Sequence, residues 1–262
     1  MANAVEIKNA TVFLGGREIL HDLSWMVGRG ERCFILGANG AGKTTLVKML
    51  LGYAWPVYGA HVEVLGGRFG ETNLVELRKR IAWVSPFMHQ LTGVEWTGLE
   101  MVLSGLDGTP GLFRKPLPEE VDRALEFMKR FRCEMLAGQS VFTMSSGEQM
   151  KIMITRALLT RPELLILDEP NVFLDLPGRE FLLAEIAAVA AELPELTIIF
   201  VTQRTEDIPP LFDRRMIMKS GRVMCRGERL EVLSEANLRE AFGMPVRVVH
   251  NRSGRVWAVL DD

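Results

Sequence analysis

One stretch of this 262-residue chain decides its fold: Gly37-Ala38-Asn39-Gly40-Ala41-Gly42-Lys43-Thr44. It matches the pattern G-x-x-x-x-G-K-[ST], in which successive backbone N–H groups converge on a phosphate. The glycines of such a loop adopt backbone conformations that a side chain would block. Lys43 would place its charge on the β- and γ-phosphates of a nucleotide, and the Thr44 hydroxyl would bind Mg²⁺. The motif therefore predicts a loop that binds a nucleoside triphosphate.

The residues on either side of this loop have the character of a strand and a helix. Residues 31–36 predict a buried strand, and residues 45–51 predict the helix that follows the loop. The N-terminus of that helix would add a partial positive charge beneath the phosphates. A glycine-rich turn that matches the pattern by accident is the alternative, and the order of strand, loop and helix argues against it. The expected nucleotide contacts are Gly37, Ala38, Asn39, Gly40, Ala41, Gly42, Lys43, Thr44 and Thr45.

Two carboxylates follow an aliphatic run farther along the chain, at Leu164-Leu165-Ile166-Leu167-Asp168-Glu169. Four consecutive aliphatic residues indicate a strand buried on both faces of a parallel sheet. Ligands of such sheets bind at the carboxyl ends of the strands, where these acids lie. We expect Asp168 to contact Mg²⁺ through a water and Glu169 to polarise the attacking water. A strand that ends in a solvated acidic turn is the alternative, and the phosphate loop on the same chain argues against it.

A third motif lies between these two, at residues 143–149, and it resembles the LSGGQ signature of ABC-type ATPases. The five signature positions are occupied by Met144, Ser145, Ser146, Gly147 and Glu148. Residues 150–159 resemble the helix that follows the signature in that family. The order of phosphate loop, signature and acidic strand runs through nearly the whole chain, which is therefore identified as a member of this family. Ser146 in place of a glycine is the largest departure within the signature.

The resemblance implies a site shared by two chains. Ser145 and the Gly147 N–H group lie at a predicted helix start, which attracts anions. In this family the start of that helix meets the γ-phosphate held by a second copy, so two copies would pack head to tail with two ATP molecules between them. A plain helix cap at Ser145 is the simpler interpretation, and both interpretations can hold at once. The family also implies a membrane-spanning transporter subunit, which would be another chain.

Two polar positions depart from the family. The family carries a His after the strand that follows the acidic one, and Gln203 stands there in this chain. Gln203 is still assigned to catalysis, because it can donate an N–H group to a γ-phosphate, but it cannot carry a positive charge, so we expect slower turnover. A family Gln that touches Mg²⁺ and relays to the membrane partner is replaced by Ser85-Pro86, with Gln90 as the nearest substitute. That replacement weakens the expected link to a transporter.

The adenine contact and the loop after the acids are also unusual. An aromatic ring usually stacks on the base in this family, and Leu14 occupies its place beside Phe13. Because neighbouring residues of a strand face opposite ways, we expect Phe13 in the core and not on the base. Asp175 keeps the family's acidic position in the loop that crosses the dimer interface. A helix cap before Pro177 is the equally good alternative for Asp175.

The composition is that of an ordinary globular protein, with 48% hydrophobic and 24% charged residues. A formal net charge of −2 provides no basic field, so no nucleic-acid partner is expected. Three scattered cysteines favour a reducing cytoplasm without disulfides. The N-terminus lacks the pattern of a signal peptide and no window offers a membrane span, so we expect a cytoplasmic protein, or one peripheral at the inner face of the membrane.

These motifs predict the α/β fold class, with a P-loop NTPase core built on a mostly parallel sheet. An N-terminal antiparallel β-subdomain is expected at residues 5–24, with Gly15-Gly16 as its turn, and a helical subdomain at about residues 87–160. Further hairpins are expected at residues 216–225 and 247–260, the second at the C-terminus. The sequence has no internal repeat, which favours a single ABC ATP-binding domain over residues 1–262.

Three functional hypotheses remain open from the sequence. The leading one is an ATP-binding and ATP-hydrolysing subunit of an ABC transporter that works as a head-to-tail dimer. A soluble, non-transport ABC ATPase with a regulatory or assembly role is the alternative, favoured by Gln203 and by Ser85-Pro86. A nucleotide-binding switch with negligible hydrolysis is the third, and the presence of Glu169 argues against it.

Overall fold

The computed structural model describes residues 3–86, 95–109 and 111–261, and for residues 228–230 the backbone alone. Its strands are β1 (Asn3–Leu14), β2 (Arg17–Gly28), β3 (Arg32–Leu36), β4 (His61–Val64), β5 (Gly67–Arg68), β6 (Ile81–Val84), β7 (Leu164–Asp168), β8 (Thr197–Thr202), β9 (Arg214–Lys219), β10 (Arg222–Glu228), β11 (Val246–His250) and β12 (Val256–Leu260). Its helices are α1 (Lys43–Leu50), α2 (Leu74–Arg78), α3 (Gly98–Leu103), α4 (Pro118–Arg130), α5 (Ser146–Leu159), α6 (Leu176–Glu192), α7 (Arg229–Val232) and α8 (Glu235–Phe242).

The larger sheet places the predicted site motifs at one edge. Its six strands have the order β10-β9-β3-β8-β7-β6, and every neighbouring pair is parallel except β10 and β9. All residues of β7 and β8 are buried, which is why both sequences are mostly continuous apolar runs. Because β8 lies between β3 and β7, the carboxyl ends of these three strands are side by side. The phosphate loop follows β3, Gln203 follows β8, and the two acids are the last residue of β7 and the residue after it.

The smaller sheet is antiparallel throughout, with the order β2-β1-β4-β5. Strands β1 and β2 join through Gly15 and Gly16, whose φ angles are 56° and 77°. Those left-handed conformations favour glycine and allow the tight turn. The predicted N-terminal strand pair is therefore confirmed.

The expectation that Phe13 lies in the core is wrong. Phe13 is 49% exposed and Leu14 is 41% exposed. The pairing of β1 with β2 shifts register between Val12 and Phe13. A bulge of this kind interrupts the alternation of inward and outward side chains on which the expectation relied. Both side chains therefore face solvent at the end of β1.

The hydrophobic core consists of two clusters on opposite faces of the larger sheet. Neighbouring residues of β7 alternate between them, with Leu165 in one cluster and Ile166 in the other. The cluster that contains Leu165 also includes side chains of α3, α4, α5 and α6. The cluster that contains Ile166 includes side chains of α1 and of the smaller sheet. Each face of the sheet is thus covered, as its apolar strands require.

Both hairpins expected in the C-terminal part are confirmed. Strands β9 and β10 are antiparallel, as are β11 and β12, in which Val246 pairs with Leu260. The C-terminal hairpin is attached to α8, because Arg239 Nε donates to the Val246 carbonyl oxygen at 2.8 Å. Val246 and Val256 are buried in the same core cluster as Leu165. The hairpin is therefore part of the packed body of the protein.

Candidate functional site

The phosphate loop joins β3 to α1 and depends on its glycines for different reasons. Gly40 and Gly42 have φ angles of 80° and 96°, in the left-handed region that favours glycine. Position 37 has no room for a side chain, because a Cβ atom there would lie 2.6 Å from the Met218 carbonyl oxygen. In the part of the chain that the structure describes, no side chain caps α1 at Gly42. Uncapped N–H groups at a helix start are the groups that bind a phosphate.

The turn between β9 and β10 is hydrogen-bonded to the phosphate loop. The Gly221 N–H donates to the Ala41 carbonyl oxygen at 3.0 Å, and the His21 N–H donates to the Gly221 carbonyl oxygen at 3.0 Å. A Cβ atom on Gly221 would lie 2.1 Å from the Ile19 carbonyl oxygen, so only glycine fits. The sequence indicated a hairpin turn at Gly221 but nothing that linked this turn to the phosphate loop.

Lys43 connects the phosphate loop to the acidic end of β7. It is 4% exposed, and its Nζ donates to the carbonyl oxygens of Gly37 at 2.8 Å and Ala38 at 3.1 Å. The same Nζ lies 3.1 Å from Glu169 Oε1. Two motifs that are far apart in the sequence are therefore in direct contact through an ion pair.

Asp168 has the features of a buried cation ligand. It is 4% exposed, and its Oδ1 atom has no hydrogen-bond partner among the described residues. Burial, and then the negative charge of Glu169, raise the pKa of Asp168 to about 6. A metal ion or its bound water satisfies such a carboxylate oxygen, and the exposed Thr44 provides a second oxygen of the kind that Mg²⁺ prefers. The residues present therefore fit Mg²⁺.

Glu169 and Gln203 follow neighbouring strands of the larger sheet. The φ angle of Glu169 is 51°, which few residues other than glycine adopt and which is common at functional sites. Its N–H donates to the Val201 carbonyl oxygen in β8 at 2.9 Å. Gln203 is half-buried directly after β8. The two residues assigned to catalysis are thus held at adjacent strand ends.

A buried polar cluster near Gln203 was not predicted from the sequence. Asp207 is 3% exposed, and burial raises its pKa. The Thr202 hydroxyl donates to Asp207 Oδ2 at 3.4 Å, and Arg179 Nη1 lies 3.8 Å from Asp207 Oδ1. Asn171, in the loop after Glu169, is 2% exposed, and neither atom of its amide group has a hydrogen-bond partner among the described residues. An Asp in a polar turn ordinarily indicates a solvated surface, so its sequence offered no signal for burial.

The signature residues begin α5 and cap it. The Ser145 N–H and hydroxyl donate to Glu148 Oε2 at 2.8 and 2.7 Å, and the Glu148 N–H donates to Ser145 Oγ at 3.4 Å. These contacts form a capping box, so the helix-cap interpretation is confirmed. Within the described residues, no hydrogen bond or ion pair joins Ser145 or Gly147 to the phosphate loop. Their contact with a phosphate stays a prediction.

We expect Ser145→Ala to lower the free energy of unfolding by about 1 kcal/mol, because the start of α5 loses its side-chain acceptor. Urea denaturation followed by circular dichroism measures this loss. Ser146→Ala is the matched control, since Ser146 is the exposed first residue of α5 and does not cap the helix. An equal loss of stability in both variants would contradict the capping role of Ser145.

The remaining predicted residues are placed as follows. Asp175 caps α6, with its Oδ1 accepting from the Gly178 N–H at 2.8 Å. That contact was the alternative interpretation for Asp175, and a role across a dimer interface stays a prediction. Ser85 is buried and Pro86 is half-buried after β6. Gln90 lies outside the described residues.

Comparison with known proteins decides the family. A family model described as ABC transporter matches residues 20–172. The chain belongs to the ABC transporter family. It is 36% identical over 249 residues to the uncharacterized ABC transporter ATP-binding protein YlmA of Bacillus subtilis, covering 95% of this chain and 94% of that protein. It is 30% identical over 244 residues to the uncharacterized ABC transporter ATP-binding protein YmeB of Lactococcus lactis, and the match covers 93% of this chain and 94% of that protein.

Solved structures share the fold of this ABC family member. One is an inward-facing conformation of a putative metal-chelate type ABC transporter, with a TM-score of 0.79, 21% identity and 99% coverage of both chains. Another is cbiO1 from Clostridium perfringens, part of the ABC transporter complex cbiONQ. It has a TM-score of 0.74 and 25% identity, and the match covers 92% of this chain and 94% of that one.

The fold class and the family, both predicted from the sequence, are confirmed. In the described part of the chain, no helix reaches the length and apolar character needed to cross a bilayer. Hydrolysis, Mg²⁺ binding, the partners of the chain and the roles of the individual site residues stay predictions.

Proposed function

We propose that this protein binds ATP with Mg²⁺ and hydrolyses it to ADP and phosphate as the ATP-binding subunit of an ABC transporter. One observation carries the proposal: Lys43 of the phosphate loop and Glu169 of the acidic strand lie 3.1 Å apart. A group that binds phosphate and a group that can activate water therefore share one site. Gln203, which follows the strand between them, is a third group at the same edge of the sheet.

The phosphate loop would bind the triphosphate through its backbone N–H groups, from Ala38 to Thr45, and through Lys43. Thr44 and Asp168 would hold Mg²⁺, which neutralises charge on the β- and γ-phosphates when bound. The Oδ1 atom of Asp168, which has no hydrogen-bond partner within the described ranges, supports this assignment. Two protein oxygens suffice, because Mg²⁺ usually keeps several of its waters.

Lys43 would have to turn from its present partners to reach the β- and γ-phosphates. Its Nζ now contacts two carbonyl oxygens and Glu169. Once Lys43 neutralises phosphate charge, the Glu169 carboxylate is free to accept a proton from the attacking water. The ion pair between Lys43 and Glu169 would in this way keep the base occupied until ATP is bound.

Gln203 would donate an amide N–H group to the γ-phosphate, without the positive charge of an imidazolium. We expect Gln203→His to raise kcat roughly fivefold, because a charge-assisted hydrogen bond would stabilise the transition state by about 1 kcal/mol more. Steady-state phosphate release measures this. Arg204→His, at the exposed neighbouring position, is the matched control. A slower Gln203→His enzyme would mean that the amide suits this site better than an imidazole does.

A second copy of the chain would complete the site. The start of α5 carries Ser145 and Gly147 but makes no described polar contact with its own phosphate loop. Among the described residues, a Cβ atom on Gly147 would meet nothing within 4 Å, which supports room for another chain at this helix start. We propose that two copies pack head to tail, each presenting Ser145 and the Gly147 N–H group to the γ-phosphate of the other.

The other partner we propose is a membrane-spanning transporter subunit, which would place this protein in the cytoplasm or at the inner face of the membrane. The names of its relatives and the membership of cbiO1 in a transporter complex support this proposal. We further propose that residues 1–262 form one ABC ATP-binding domain, with its helical subdomain at about residues 87–160. Helices α3, α4 and α5 lie in that range.

The test of the proposed function is phosphate release by the purified chain from ATP and from GTP, with and without Mg²⁺. We expect Mg²⁺-dependent release from ATP, and no release from either nucleotide would reject the proposal. Co-purification of the tagged chain from its native cells tests the transporter role. Recovery with a multispanning membrane protein supports a transporter subunit, whereas recovery from the soluble fraction alone supports a regulatory or assembly ATPase, the role that Gln203 and Ser85-Pro86 favour.

A further inference from the structure

The C-terminal hairpin of β11 and β12 contacts the turn that follows Gln203. Arg255 directly precedes β12, and its Nε and Nη2 donate to the Glu206 carbonyl oxygen at 3.0 and 2.6 Å. Its Nη1 donates to Oε2 of Glu180 in α6 at 2.6 Å. One guanidinium group therefore holds the hairpin, the turn and α6 together.

A second contact holds the same turn. The Ala258 N–H donates to the Thr205 hydroxyl oxygen at 2.9 Å, and Thr205 is 1% exposed. The hairpin is itself anchored, because Val246 and Val256 are buried in the core. The turn is thus held by an element that is fixed to the body of the protein.

Gln203 lies between two held points of the chain. On one side is Thr202 at the buried end of β8, where its hydroxyl accepts from the Arg204 N–H at 3.1 Å. On the other side is Thr205. Only Gln203 and Arg204 lie between these residues. A segment this short has little freedom when both ends are held, so the contacts of Ala258 with Thr205 and of Arg255 with Glu206 together restrict Gln203.

We propose that Arg255 is a positioning residue for Gln203: by holding residues 205–207 against the hairpin and α6, it fixes where the Gln203 amide meets the γ-phosphate of ATP. The role of Gln203 at the phosphate rests on the proposed function, whereas the restraint of the turn by Arg255 does not.

Arg255 makes strong contacts, because its charged guanidinium group donates every one of these hydrogen bonds. Its side chain is 12% exposed, and it makes two hydrogen bonds to one carbonyl oxygen and a charge-assisted one to a carboxylate. The hydrogen bond from Arg255 holds the pKa of Glu180 below its usual range, as expected for a carboxylate kept in its charged form. Alanine at position 255 removes all three hydrogen bonds and leaves the turn held only at Thr205 among the hairpin contacts described above, which loosens residues 206 and 207.

Steady-state kinetics tests the effect on the reaction. We expect Arg255→Ala to lower kcat about tenfold while KM changes less than about twofold, because the turn shifts and the phosphate loop does not. Arg247→Ala, at an exposed position on β11 of the same hairpin, is the matched control and should behave as the wild type. In a Gln203→Ala background, Arg255→Ala should cause no further loss, because Arg255 acts through Gln203.

Hydrogen exchange tests the restraint without ATP. The amides of residues 204–208 are expected to exchange about tenfold faster in Arg255→Ala than in the wild type, with β3 and β7 unchanged. Glu180→Ala removes the other end of the same contact and leaves the hairpin sequence intact. Glu180→Ala should speed up the exchange of the same amides to a smaller extent. It also serves as the test variant if Arg255→Ala fails to fold.

Two results would overturn the inference. One is equal exchange at residues 204–208 in Arg255→Ala and Arg247→Ala. The other is a loss of kcat in Arg255→Ala that is the same with and without Gln203. If the wild-type chain hydrolyses no ATP, the proposed function fails by itself, and hydrogen exchange still decides whether Arg255 holds the turn.

Discussion

Lys43→Ala is expected to abolish nearly all ATP hydrolysis, lowering kcat/KM by roughly 100- to 1000-fold. The Lys43 ammonium group is the charge that the phosphate loop offers to the β- and γ-phosphates, and removing one preorganised charge or donor from such a site costs roughly 3–4 kcal/mol. Nucleotide affinity should also fall, because the same charge acts on bound ATP before the reaction. Phosphate release and the binding of a fluorescent ATP analogue measure the two effects separately.

Lys48→Ala is the matched control for this prediction. Lys48 is an exposed lysine in the last turn of the same helix, α1, so its loss changes the net charge by the same amount without touching the loop. Thermal unfolding of both variants shows whether the folded state survives, since Lys43 also binds the Gly37 and Ala38 carbonyl oxygens. A folded Lys43→Ala protein with wild-type activity would refute the assignment of the phosphate loop.

Glu169→Gln is expected to lower kcat roughly 1000-fold, within the range typical of a general base, while ATP binding is retained. Gln has nearly the shape of Glu but cannot take a proton from water. It also removes the ion pair with Lys43, which leaves Lys43 free for the phosphates. We therefore expect this variant to form a stable dimer in the presence of ATP, which size-exclusion chromatography would detect. The wild type, in contrast, would return to monomers as it consumes the ATP.

Glu195→Gln, at an exposed position before β8, is the matched control and should hydrolyse ATP at the wild-type rate. A Glu169→Gln protein that is inactive but stays monomeric in ATP would separate the catalytic role of Glu169 from the proposed dimer. Retained hydrolysis in Glu169→Gln would instead show that another group activates the water.

The sequence by itself determined the features whose chemistry is local. The phosphate loop was recognisable because its positive φ angles, its lysine and its helix start all lie within a few residues of each other. The acidic strand was recognisable because burial on both faces requires an apolar run, and the acids end that run. Hairpins at Gly15-Gly16 and at Gly221 were predictable for the same reason, since a tight turn selects its residues locally.

Only the tertiary structure decided which of these pieces meet. The ion pair between Lys43 and Glu169 depends on strand order, because β3 and β7 are parallel, end at the same edge of the sheet and are separated by β8 alone. The exposure of Phe13 depends on a register shift against β2, which no property of β1 alone reveals.

The contacts of Gly221 and Arg255 join segments that are distant in the chain. Packing of the whole fold sets those distances, whereas a short stretch of sequence sets only its own backbone preference and polarity. For that reason the groups expected to bind phosphate could be named from the sequence, and the groups that hold them in place could not.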